Sequence, residues 1–140
     1  MLFENNEYLD LLFNPVDNYK YESQDDITEG FYKGNMFKNE YKAYKNYTYI
    51  KPIVKNKQEE LMLEIMKYTF AINDYNLFLD LHPDNKDMLN KYKMCVMNLD
   101  KVTKEYEKNY GPLNLLNSDY NTFKWVESPW PWDREDGMYV

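Results

Sequence analysis

From Leu61 the apolar residues of this chain fall into a fixed rhythm: Leu61, Ile65, Tyr68, Ile72, Tyr75 and Leu79 are spaced 4, 3, 4, 3 and 4. A helix turns once in 3.6 residues, so this spacing draws one apolar seam along a helix that packs on another helix. Met62, Met66, Phe70, Leu77 and Phe78 widen the apolar surface beyond the seam. Glu59, Glu60 and Glu64 stand early, where the helix dipole favours negative charge. The helix is predicted to stop at His82-Pro83, because a proline disfavours helical backbone in the residue before it. A second helix restarts at once. Asp84, Asn85 or Asp87 can cap it, and Leu89, Tyr92, Val96, Leu99, Val102 or Thr103, and Tyr106 carry the apolar spacing onward. Lys104 and Lys108 suit its last turns, and Gly111-Pro112 ends it. So short a connection predicts an antiparallel two-helix hairpin.

Such a hairpin has one internal interface and cannot cover the side that carries Met66, Phe70, Leu77 and Phe78. The cover must come from the segment before it, the tail after Gly111, or a partner chain. Charge separates those parts. Over residues 1–29 the balance is −7, over 30–57 it is +6, and over 58–116 and 117–140 it is −3 each, giving the net −7 of the 140 residues. The low hydrophobicity and excess acid from Asp17 to Glu29 fit a disordered tail, in which Tyr8, Leu9, Leu11, Leu12 and Phe13 make a short apolar cluster. Residues 30–57 are basic and rich in tyrosine; Gly30 and Gly34 oppose a regular helix there and Pro52 closes the stretch. The two oppositely charged halves of this N-terminal arm are expected to pair with each other or with neighbouring copies, an attraction that salt would loosen.

Composition excludes several function classes. A sequence pI near 4.8 with no sustained basic surface argues against a nucleic-acid binder, which needs clustered Lys and Arg at the phosphates. One cysteine, Cys95, allows no intramolecular disulfide or cysteine-based zinc site; its place near the apolar seam favours a core role. One histidine, His82, leaves little material for imidazole catalysis or a His-rich metal site, and its position suits the end of a helix. Glu64, Asp74, Glu105 and Glu107 lack the Glu-x-x-His repeats of a di-iron bundle. No nucleophile elbow or phosphate loop is present, so no catalytic residue, metal or cofactor is expected. The start, Met1 to Phe13, is acidic rather than the basic-then-apolar run of a signal peptide, and no stretch is apolar enough to span a membrane.

The most specific piece lies near the C-terminus. All three tryptophans, Trp125, Trp130 and Trp132, fall within eight residues, the last two in the run Ser128-Pro129-Trp130-Pro131-Trp132. Pro129 and Pro131 hold the run extended and remove two backbone donors, so the rings are presented with little conformational entropy left to lose. Rigid tryptophans of this kind anchor protein interfaces.

Leu79-Asp80-Leu81-His82-Pro83 at the turn, Tyr110-Gly111-Pro112-Leu113 at the stop and the Ser-Pro-Trp-Pro-Trp ending resemble the spore coat protein JB (CotJB) family of endospore-forming bacteria, over about residues 58–133. Glu29-Gly30-Phe31-Tyr32-Lys33-Gly34-Asn35-Met36-Phe37, with Tyr44-Lys45-Asn46, is similar to a motif of spore coat protein JA (CotJA). The expected architecture is mainly α. An acidic disordered tail (1–29) and a basic CotJA-like segment (30–57) precede the CotJB-like hairpin with its Pro-Trp tail (58–133) and a short end (134–140). The resemblance implies a non-enzymatic component of the spore coat, made in the mother-cell cytoplasm, that assembles with a manganese-catalase-like coat protein (CotJC) and a CotJA-like protein, and with itself. A maturation factor for that catalase-like enzyme is the alternative. Partner contacts are expected at Trp125, Pro129, Trp130, Pro131, Trp132, Phe70, Phe78, Phe31 and Phe37, with His82, Pro83, Gly111 and Pro112 as structural turn residues.

Overall fold

In the computed structural model the described residues are 22–24, 26–38 and 44–114. They form three helices: α1 (Ile27–Lys33), α2 (Lys57–Leu81) and α3 (Lys86–Tyr110). The architecture is mainly helical, with no strand among the described residues beyond an isolated antiparallel bridge between Ser23 and Phe37. None of these helices is long and apolar enough to cross a membrane.

Local chemistry sets the ends of the long helices. The Asn56 side chain accepts from Glu59 N (2.8 Å), and the Glu59 carboxylate accepts in turn from Asn56 Nδ2 (3.0 Å) and Lys55 N (2.7 Å). At the other end of α2, His82 N still donates to Phe78 O (3.0 Å), after which Pro83 forbids continuation. Of the three candidate caps for α3, Asn85 is the one used: its Oδ1 accepts from Met88 N (3.0 Å). Gly111 closes α3 at φ 100°, a backbone conformation that suits glycine. Gln58 Nε2, in the first turn of α2, donates to Tyr106 Oη, one turn from the end of α3 (3.0 Å), so the start of α2 lies beside the end of α3.

The α3 seam differs from the spacing read in the sequence. Met88, Cys95 and Tyr106 are buried with Tyr92, Leu99 and Val102 half-buried between them, whereas Val96 is 40 % exposed. The line 88, 92, 95, 99, 102, 106 repeats 4, 3, 4, 3, 4; at Met88-Leu89 and Cys95-Val96 two apolar neighbours offer overlapping lines, and packing takes the first of each. On α2 the buried residues Leu61, Lys67, Ala71, Tyr75 and Phe78 spread across more than one seam, because this helix has a second neighbour.

That neighbour is α1. Gly30 and Gly34 do not oppose a helix here: Gly34 ends α1 in the left-handed conformation (φ 71°), its backbone turning so that Asn35 N reaches Gly30 O (2.9 Å), and Gly30 lies inside the helix. A Cβ at Gly30 would run into the Met36 thioether, so the glycine serves close approach rather than a turn. The boundary drawn on charge between residues 29 and 30 falls inside α1, where Glu29 and Lys33, one from each block, pair at 2.5 Å across one turn.

Candidate interaction surface

Residues 22–24 and 26–38 fill a groove along α2 and α3. Met36 is fully buried and joins Ala71, Tyr75, Phe78, Met88 and Cys95 in the core. Phe37 lies edge-on to Tyr75 (6.2 Å between ring centroids) and stacks on Phe78 (5.1 Å), while Phe31 meets the edge of Phe70 (5.8 Å). Two polar contacts fix the register: Met36 N donates to Asp74 Oδ2 on α2 (3.0 Å), and Lys91 Nζ on α3 hydrogen-bonds Ser23 Oγ. The aromatic side of the helix pair is thus covered in part by the chain's own preceding segment.

Near Ser23 the groove buries weakly acidic groups. Burial pushes the Tyr75 phenol from 10.0 up to about 12; the neighbouring Cys95 and Asp74 add to the rise and its hydrogen bond with Ser23 opposes it. Burial also raises the Cys95 thiol, against the pull of Lys91. Cys95 is therefore a buried free thiol held protonated, not a reactive thiolate. Tyr68 is raised as well, by burial first and then by Glu64 and Cys95.

A charge that the sequence reading passed over lies beside this cluster. Lys67 is buried on the α1 side of α2, where Glu64 holds its ammonium at 2.7 Å and the Tyr32 ring faces it at 5.9 Å. Tyr32 in turn stacks on Tyr49 (6.0 Å, 8° between planes), with Lys51 near both rings. This draws the extended stretch before α2 back onto α1.

The outer faces of the long helices stay open. Met66 and Leu77 stand three turns apart on the side of α2 away from Tyr75, and Met94 and Met97 stand on the side of α3 away from its seam; each is at least half-exposed. Ile50, Ile53 and Tyr44 are exposed in the stretch before α2.

The residues singled out for partner contact divide into two groups. Phe31, Phe37, Phe70 and Phe78 come together within the chain, as just described, with Phe78 buried and the other three half-buried. Trp125, Pro129, Trp130, Pro131 and Trp132 lie outside the described residues. The His82 ring packs against that of Phe78 (4.5 Å), His82 O accepts from Asn85 N (3.1 Å), and Pro83 follows in the turn. Gly111 and Pro112 lead into a half-turn in which Leu113 N donates to Glu107 Oε1 (3.1 Å). Met36, Asp74, Ser23 and Lys67 were not among the residues expected to make contacts: a lone methionine outside the helical repeats and a lysine on an apolar helix carry no periodic signal.

No curated protein matches the chain, and no solved structure does. One family model does match: that of the CotJB protein, over residues 59–133, which runs from the first turn of α2 through the Pro-Trp run. The family is a spore coat component and not a known enzyme family. The match takes in both long helices and more than half of the sequence, and the chain belongs to the CotJB family.

Proposed function

We propose that this chain is a structural component of the bacterial endospore coat, made in the mother-cell cytoplasm, and that it assembles there with CotJ-type coat proteins, a CotJA-like protein and above all a manganese-catalase-like partner. The observation that carries the reading is the extent of the family match, which ends at Asp133, one residue past Trp132. The recognised unit is therefore the helix pair together with its tryptophan run. Trp130, between Pro129 and Pro131, and Trp132, just after Pro131, are the anchors this reading assigns to the tail, and the open Met66, Leu77, Met94 and Met97 faces supply adaptable apolar area, methionine being able to fit irregular partners.

Quantifying the protein in extracts of purified spores tests the lasting structural role. Stoichiometric presence with other coat components supports it; presence in sporulating cells and absence from mature spores would favour a maturation factor for the catalase-like enzyme. Truncation after Glu127 should abolish co-purification with that enzyme, and retained co-purification would refute the role given to the tryptophan run.

A further inference from the structure

Residues 22–24 and 26–38 carry most of their own shape. Gln24 N donates to Met36 O (2.7 Å) and Lys38 N to Glu22 O (2.8 Å), so the two ends are tied by backbone hydrogen bonds. Between them α1 is capped at its start by Asp26, whose Oδ1 accepts from Thr28 N (2.9 Å), and at its end by Gly34. Asn35 Oδ1 then accepts from Phe37 N (2.8 Å), which aims Met36 and Phe37 at the groove. A segment organised in this way loses less freedom on docking than an open chain does.

Its hold on the helix pair is made of side chains set to receive it. Met36 enters among Ala71, Tyr75, Phe78, Met88 and Cys95, from both helices; its amide donates to Asp74 on α2, and Lys91 on α3 hydrogen-bonds Ser23 of the same segment. The family match begins at Glu59, so the groove belongs to the recognised unit and the segment that fills it does not.

We propose that the groove between α2 and α3 is a docking site for a segment of the form Gly-Phe-x-x-Gly-x-Met-Phe, filled here by Gly30 to Phe37 of the same chain, and that it accepts this segment equally when it is carried by a separate polypeptide. Specificity comes from three features: the buried methionine, the amide of that methionine on Asp74, and the glycine that lets helix and methionine touch. The proposal concerns the groove alone and stands whether or not the protein is a lasting layer of the coat.

The test cuts the tether in the folded, full-length protein. A protease recognition sequence is inserted between Ile53 and Val54, which are exposed or nearly so, and the chain is cleaved under native conditions. The N-terminal piece is expected to co-elute with the helical piece on gel filtration. A synthetic peptide of residues 22–38 should then displace it, and the same peptide carrying Met36→Asp should compete at least tenfold less well. Separation of the pieces on cleavage overturns the proposal. So does co-elution that neither peptide disturbs, or that both disturb equally, since the N-terminal piece would then be held by something other than the methionine groove.

Discussion

Tyr75 is the residue on which the groove's chemistry converges, because its ring packs under Phe37 while its hydroxyl reaches Ser23. Its folded-state pKa, raised to about 12 mainly by burial, stands above the 10.0 of an exposed tyrosine, so the folded chain keeps the proton that the unfolded chain loses. The stabilisation is complete below pH 10 and drains away as pH rises towards about 12. Cys95, also raised by burial from an ordinary 9.0, acts in the same sense and begins earlier. Urea midpoints should therefore fall with rising pH above about 9, and Tyr75→Phe should flatten the upper part of that fall while costing about 1 kcal/mol at neutral pH for the lost hydrogen bond. Lys67 gives a second prediction at this scale. Removing one partner of a desolvated pair leaves a stranded charge, whereas replacing the charge by an apolar side chain does not. Glu64→Ala should cost about 1–2 kcal/mol, less than a fully buried pair would because the Glu64 side chain is 36 % exposed. Lys67→Met should be near neutral, and thermal unfolding of the two variants gives the order.

Among the elements, α2 and α3 were legible because their ends are chemical: a proline after His82, a Gly-Pro pair after Tyr110 and a choice of side-chain caps between the helices. The cap is worth testing, since Asn85 does a task that Asp84 and Asp87 flank without sharing. Asn85→Ala should cost about 1 kcal/mol, read as a lowered denaturation midpoint. The seam of α3 was legible only to within one residue, for where Met88-Leu89 and Cys95-Val96 stand side by side the sequence offers both lines and packing chooses. α1 was not legible at all. A seven-residue helix with a glycine at its centre has no periodic signal and little intrinsic stability; it exists because Met36 lies where the Gly30 side chain would be and because α2 supplies a wall. Stability in such an element is tertiary and local. Met36→Ala should cost about 2–5 kcal/mol at its site, and amide exchange should show residues 26–38 losing protection while the seam of α2 and α3 keeps most of its own.

For the molecule as a whole, the blocks of charge pose the question of what holds the arm. Opposite balances of −7 and +6 suggest electrostatic zipping, yet one ion pair that joins the two blocks, Glu29 with Lys33, lies within a single turn of α1 with both side chains more than 40 % exposed. A pair of that kind contributes about 0.3–0.5 kcal/mol and is screened by salt. Burying the Met36 side chain contributes about 1.5–3 kcal/mol and is not. The apolar term therefore decides, and the arm's attachment should be nearly indifferent to ionic strength, in contrast to what the charge pattern by itself suggests. Amide protection at Met36 and Phe37, followed between 0.05 and 1 M NaCl, should change by less than about threefold, the equivalent of one exposed ion pair. A fall of a hundredfold or more would mean that charge outside α1 carries the attachment. The same comparison separates the two ways such a protein can join an assembly, since a contact made by Met36 and the phenylalanines survives salt and one made by the acidic and basic blocks does not.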